Sequence, residues 1–99
     1  MRRAARIDTN QPEIVNGLRE RGCVVAHLHT IGKGVPDICV GFGGRNYLFE
    51  IKDPRRPLSQ RRLTPDEKIW HKTWNEKGRA DIIETIEQAM EIMIKDLEK

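Results

Sequence analysis

The chain has 99 residues, with 18 Lys and Arg against 15 Asp and Glu and a formal net charge of +3 at pH 7. A chain of that length is expected to form one domain around a single modest core, with no room in these residues for a separate regulatory module. Two cysteines exclude a disulfide framework, and no apolar run is long enough for a membrane anchor. The expectation is a single soluble, cytoplasmic domain over residues 1–99 with free thiols, in which residues 1–8 form a basic arm that is either disordered or tracks phosphates.

A first helix is expected to start near Asn10 as its cap, with Pro12 in the first turn, and to stop before Gly22. Ile14, Val15 and Leu18 form its apolar stripe, and Glu13 stands in its first turn. Such an acid favours the helix dipole without any further role. Cys23 to His29 alternates as a strand, with His27 and His29 on one face, but a zinc site would need another well-placed ligand. The loop that follows holds Gly32-Lys33-Gly34 and lacks the spacing of a nucleotide-binding P-loop, so no nucleotide cofactor is expected.

The stretch from Gly34 to Asp53 reads as a hairpin turning at Gly43-Gly44. With a two-residue turn, Phe42 faces Arg45, and counting back in antiparallel register sets Asp37 opposite Glu50. Strand alternation points Glu50 and Lys52 to one side and Phe49 and Ile51 to the other, packed side. Opposed carboxylates repel unless something positive lies between them. Oxygen ligands favour a hard ion such as Mg²⁺ or Mn²⁺. The plainer alternative is that Lys52 neutralises Glu50 at a sheet edge while Asp37 caps a turn.

Asp53 to Arg62 is a loop carrying Arg55, Arg56, Arg61 and Arg62. With Lys33 and Arg45 these arginines are candidate DNA contacts, because the guanidinium fork donates to two phosphate oxygens at once. Thr64-Pro65-Asp66-Glu67 opens a second helix as a capping box. Trp70 and Trp74 share a face of it, expected to pack on the sheet, with stacking on an exposed base as the alternative. Ala80 to Glu84 supplies a fourth strand. Thr85 opens a last helix whose Ile86, Ala89, Met90, Met93, Ile94 and Leu97 cover the sheet, its methionines also suiting a subunit contact.

Pro36-Asp37, twelve intervening residues and Glu50-Ile51-Lys52 resemble the PD-(D/E)xK nuclease motif. The run Gly32-Lys33-Gly34-Val35-Pro36-Asp37, and Leu63-Thr64-Pro65 before a Trp-containing helix, are similar to small, phage-type members of its VRR-NUC branch. The resemblance implies an α/β, restriction-endonuclease-like core in the order αβββαβα, a central mixed sheet flanked by helices. It also implies a Mg²⁺- or Mn²⁺-dependent endodeoxyribonuclease acting as a homodimer on Holliday junctions or other branched DNA. In that reading Asp37, Glu50 and the Ile51 carbonyl hold the ion, Lys52 serves the attacking water, and Glu13 is the acid on the first helix that approaches the metal. Relatives often carry glutamine where this chain has Glu67. The competing reading is an inactive DNA-binding or protein-interaction module that keeps the fold.

Overall fold

The computed structural model describes residues 10–99. The elements follow the expected order: α1 (Gln11–Glu20), β1 (Val24–His27), β2 (Ile38–Phe42), β3 (Arg45–Ile51), α2 (Pro65–Asn75), β4 (Ala80–Ile83) and α3 (Ile86–Leu97), with a short 3-10 turn at Leu58–Gln60. The four strands form one sheet in the order β1-β2-β3-β4. The first three run antiparallel, and β4 joins β3 in parallel after the crossover through α2.

The hairpin has the anticipated register, with Phe42 opposite Arg45 and Ile38 opposite Phe49. Gly43 and Gly44 have φ of +60° and +81°, the left-handed pair that a two-residue hairpin turn demands and that side chains resist. Alternation then divides the sheet into two faces. Ile38, Val40, Tyr47, Phe49 and Ile51 enter the core with Ile14, Val15 and Leu18 of α1 and Ala89 and Met93 of α3. The opposite face carries Glu50 and Lys52 toward α2.

Four expectations are corrected. The first strand ends at His27 rather than His29: Leu28 N–H still reaches the Asp37 carbonyl at 2.8 Å, but Leu28 then accepts from Ile31 N–H and the chain turns. Asn10 occupies the N-cap position of α1 without capping it through its side chain. That amide donates instead to the carbonyls of Lys52 at 3.1 Å and Glu84 at 3.2 Å, tying α1 to the ends of β3 and β4. The tryptophan face of α2 does not pack on the sheet. His71 is the buried residue of this helix, while Ile69 and Trp74 are 67% and 44% exposed. In α3, similarly, Ile94 faces outward and Ile92 packs against the core.

Cys23 is buried, Cys39 half-buried, and both are free thiols. No helix among the described residues is long and apolar enough to cross a membrane. The arm expected at residues 1–8 lies outside the described residues.

Candidate active site

Asp37 and Glu50 lie at the matching ends of β2 and β3, and both are buried. Asp37 Oδ2 accepts the Ile51 N–H at 2.7 Å, which anchors this carboxyl across the hairpin. Glu50 Oε1 is buried and has no hydrogen-bond partner. Lys52 Nζ lies 3.6 Å from Glu50 Oε2 and 2.9 Å from Glu67 Oε1. These groups line a cavity of about 740 Å³ together with Lys33, Gly34, Arg56, Arg62, Thr64 and Asp66.

Glu67 joins the site through the geometry of its helix start. Thr64 Oγ1 accepts the Glu67 N–H, and Glu67 Oε1 accepts the Thr64 N–H at 2.8 Å, completing the capping box. The same oxygen accepts from Lys52. One side chain thus caps α2 and fixes the ammonium of Lys52 beside Glu50. A carboxylate can serve two donors in this way because each of its oxygens carries two lone pairs.

Electrostatics separate the three acids. Burial is the largest influence on Glu50, and with the adjacent Asp37 and Glu67 carboxyls it pushes the group up to about 10. Asp37 is also raised, chiefly by burial, against the opposing pull of the Ile51 N–H. Burial acts on Glu67 too, but the Thr64 N–H and the Lys52 ammonium outweigh it and hold this acid below its ordinary range. His71, one turn along α2, is lowered mainly by burial, and its Nε2 has no hydrogen-bond partner.

The acidic pair suits a divalent cation. Among the described residues no group of three His, Cys, Asp or Glu side chains stands ready to hold one alone. Mg²⁺ commonly takes only one or two carboxylates and completes its shell with water and substrate phosphates. The unpartnered Glu50 Oε1 beside a second carboxyl is the arrangement that a cation would satisfy.

The candidate DNA contacts divide. Lys33, Arg56 and Arg62 line the carboxylate cavity. Arg61 pairs with Glu84 at 3.3 Å and borders a neighbouring pocket that shares Lys52. Arg55 is engaged by Asp53, with Nε to Oδ1 at 3.0 Å. Arg45 is bound to Asp96 at 2.8 Å near the hairpin turn, where Tyr47 donates to the same carboxylate. Glu13 is exposed and lines a different cavity, with Asp53, Arg55 and Glu84. The structure therefore does not bring it to the carboxylate cavity. The buried polar group on this turn that connects to the site is Asn10, held to the Lys52 carbonyl. His27 and His29 adjoin each other edge to face at 5.8 Å and border a small pocket with Gln11.

Fold and cavity together describe an α/β domain with a four-stranded mixed sheet and a buried pair of carboxyls at the matching ends of β2 and β3. A solved structure titled "VRR_NUC domain" has the same fold, with a TM-score of 0.63 over 87% of this chain and 96% of its own, at 19% identity. The chain thus has the VRR-NUC fold. No family model and no curated protein matches the sequence.

Proposed function

We propose that this domain is a Mg²⁺- or Mn²⁺-dependent DNA endonuclease, and that it acts as a homodimer on Holliday junctions or other branched DNA. The observation that carries the reading is the buried Asp37–Glu50 pair, with an unpartnered Glu50 oxygen, beside Lys52 in a cavity lined by Lys33, Arg56 and Arg62. An inactive binding module gains nothing from burying two opposed acids, which costs stability unless a cation compensates.

Asp37, Glu50 and the Ile51 carbonyl would hold the ion. When bound, it would supply Lewis-acid polarisation of the phosphate and a more acidic water. Lys52, fixed by Glu67 and Glu50, would orient the attacking water and offset negative charge developing on the phosphate oxygens. In the reaction the water oxygen bonds to phosphorus and one phosphoester P–O bond breaks. The water gives up a proton and the leaving oxygen gains one, so that water is added across the bond. Lys33, Arg56 and Arg62 would hold flanking phosphates, a contact that reads backbone and shape rather than sequence.

The test is incubation of the protein with a labelled four-way junction, a flap and a matched linear duplex in Mg²⁺, Mn²⁺ or EDTA. Cleavage that requires the metal and favours the branched substrates is expected. Intact DNA in every condition, with binding retained, would refute the enzyme reading.

A further inference from the structure

The outward face of α2 takes no part in the carboxylate cavity, yet it carries both tryptophans of the chain. Ile69, Trp70, Thr73 and Trp74 line a groove of about 830 Å³, with Lys33 and Asp66 at one end and Lys77 at the other. Trp70 and Trp74 stack with ring centroids 4.8 Å apart and planes 13° from parallel. A Cβ at Gly78 would come within 2.7 Å of the Trp74 indole nitrogen, so glycine there makes the room in which this ring lies. Ile69 and Trp74 are exposed, and large apolar side chains left together in water on a small domain mark an interaction surface.

We propose that this groove binds an unpaired stretch of DNA strand, its bases lying against the Trp70–Trp74 pair and its phosphates held by Lys33 and Lys77. Three observations select that occupant. Indole rings offer a stacking surface to any base, because every base has a π-face, and aliphatic side chains do not. Two lysines against Asp66 leave the groove positive, and Asp66 stands in the first turn of α2, where the helix dipole favours an acid. The groove is also continuous with the carboxylate cavity, since Lys33 and Asp66 border both. A strand that leaves the cavity over Lys33 therefore enters the groove. Bases inside a duplex are stacked on one another and cannot present their faces to the tryptophans, so the strand held here is single.

The assignment rests on the reading of the neighbouring cavity as a nuclease centre and adds to it a sequence-tolerant anchor for unpaired nucleotides. It fixes the side of the cavity, along α2, on which such a segment leaves. Its test requires no cleavage.

Binding is measured in EDTA on the full chain, by fluorescence anisotropy of a labelled single strand of about 12 nucleotides and of an abasic strand of the same length, with tryptophan fluorescence recorded alongside. The base-bearing strand should bind about tenfold more tightly than the abasic one and quench the tryptophans. Trp74→Ala should erase that difference while leaving abasic binding unchanged. Lys77→Glu should weaken both strands, and Asp66→Asn should tighten both. Trp74, Lys77 and Asp66 are exposed, and an unchanged circular dichroism spectrum checks the fold of each variant. Equal affinity for the two strands would overturn the proposal, as would a difference that survives both Trp74→Ala and Ile69→Glu. A dimer that Ile69→Glu dissolves in sedimentation equilibrium, with no quenching by the single strand, would give the groove to a second copy and overturn it likewise. The expected binding without metal-dependent cleavage of any DNA would uphold the groove and refute the nuclease reading; cleavage with equal affinity for both strands would do the reverse.

Discussion

Glu50 is pushed up to about 10 by burial and by the Asp37 and Glu67 carboxyls, from an ordinary value of 4.5. Between those limits the folded chain holds a proton that the unfolded chain has released. The resulting stability is fully present below about pH 4.5 and is lost as pH rises toward about 10. The slope for one proton is about 1.4 kcal/mol per pH unit. Asp37, also raised, acts with the same sign. His71 is lowered, so it acts in the opposite sense, its contribution being lost as pH falls below the ordinary histidine range. The Cys23 thiol is raised from 9.0. The clean window therefore runs from about pH 7 to about pH 8.5, where Glu50 alone should cost about 2 kcal/mol. Against a total of about 5–15 kcal/mol for a small domain, this is readily measured. Urea unfolding in EDTA, followed by the fluorescence of Trp70 and Trp74, should show a midpoint falling by about 1–2 M across the window. Glu50→Gln, which imitates the protonated acid, should remove most of the decline and stabilise the metal-free protein at the upper end. A flat profile in the wild type, or the same decline in the variant, would refute the reasoning.

Glu67→Gln keeps an acceptor for the Thr64 N–H but removes the charge facing Lys52. It should lower stability by no more than about 1 kcal/mol while reducing DNA cleavage, measured as a single-turnover rate. Asn10→Ala removes the donor to the Lys52 and Glu84 carbonyls and should cost about 1–3 kcal/mol in urea unfolding. Alanine at Lys33, Arg56 or Arg62 should each reduce the salt dependence of DNA binding by about one unit of slope in fluorescence anisotropy. Alanine at Arg45 should leave that slope unchanged, because its guanidinium is committed to Asp96. Asp96→Ala, which unties Arg45, Tyr47 and Arg79, should lower the melting temperature while sparing cleavage.

The hairpin was legible because strand alternation and a two-glycine turn leave little freedom. Once Gly43-Gly44 sets the register, Asp37 and Glu50 must meet, and Phe49 and Ile51 must point away from them. The orientation of α2 was not legible. Its tryptophans have the spacing of a buried stripe, and nothing local distinguishes a face packed on a sheet from one left for another molecule; only the burial of His71 decides it. The sequence also marked Glu67 as a capping residue but could not show its second bond, since Lys52 approaches from a strand fifteen residues away. Gly34 shows the same dependence on tertiary contact. With φ of +83° and the Asp66 carbonyl pressed against the space a Cβ would need, it seats the Lys33 loop on the start of α2. Glu13 lines a different cavity for a related reason. Helical periodicity gives its face, but the turn of α1 that approaches Lys52 is fixed by the tertiary bonds of Asn10.

The most direct test of the carboxylate pair as a cation site is Mn²⁺ binding followed by electron paramagnetic resonance, in the presence of a short DNA duplex and with Lys52→Ala to prevent cleavage. Free Mn²⁺ signal should be lost on adding this protein, and the loss should disappear when Asp37→Asn or Glu50→Gln is introduced. Equal Mn²⁺ binding with and without the two acids, or none in any form, would contradict the account.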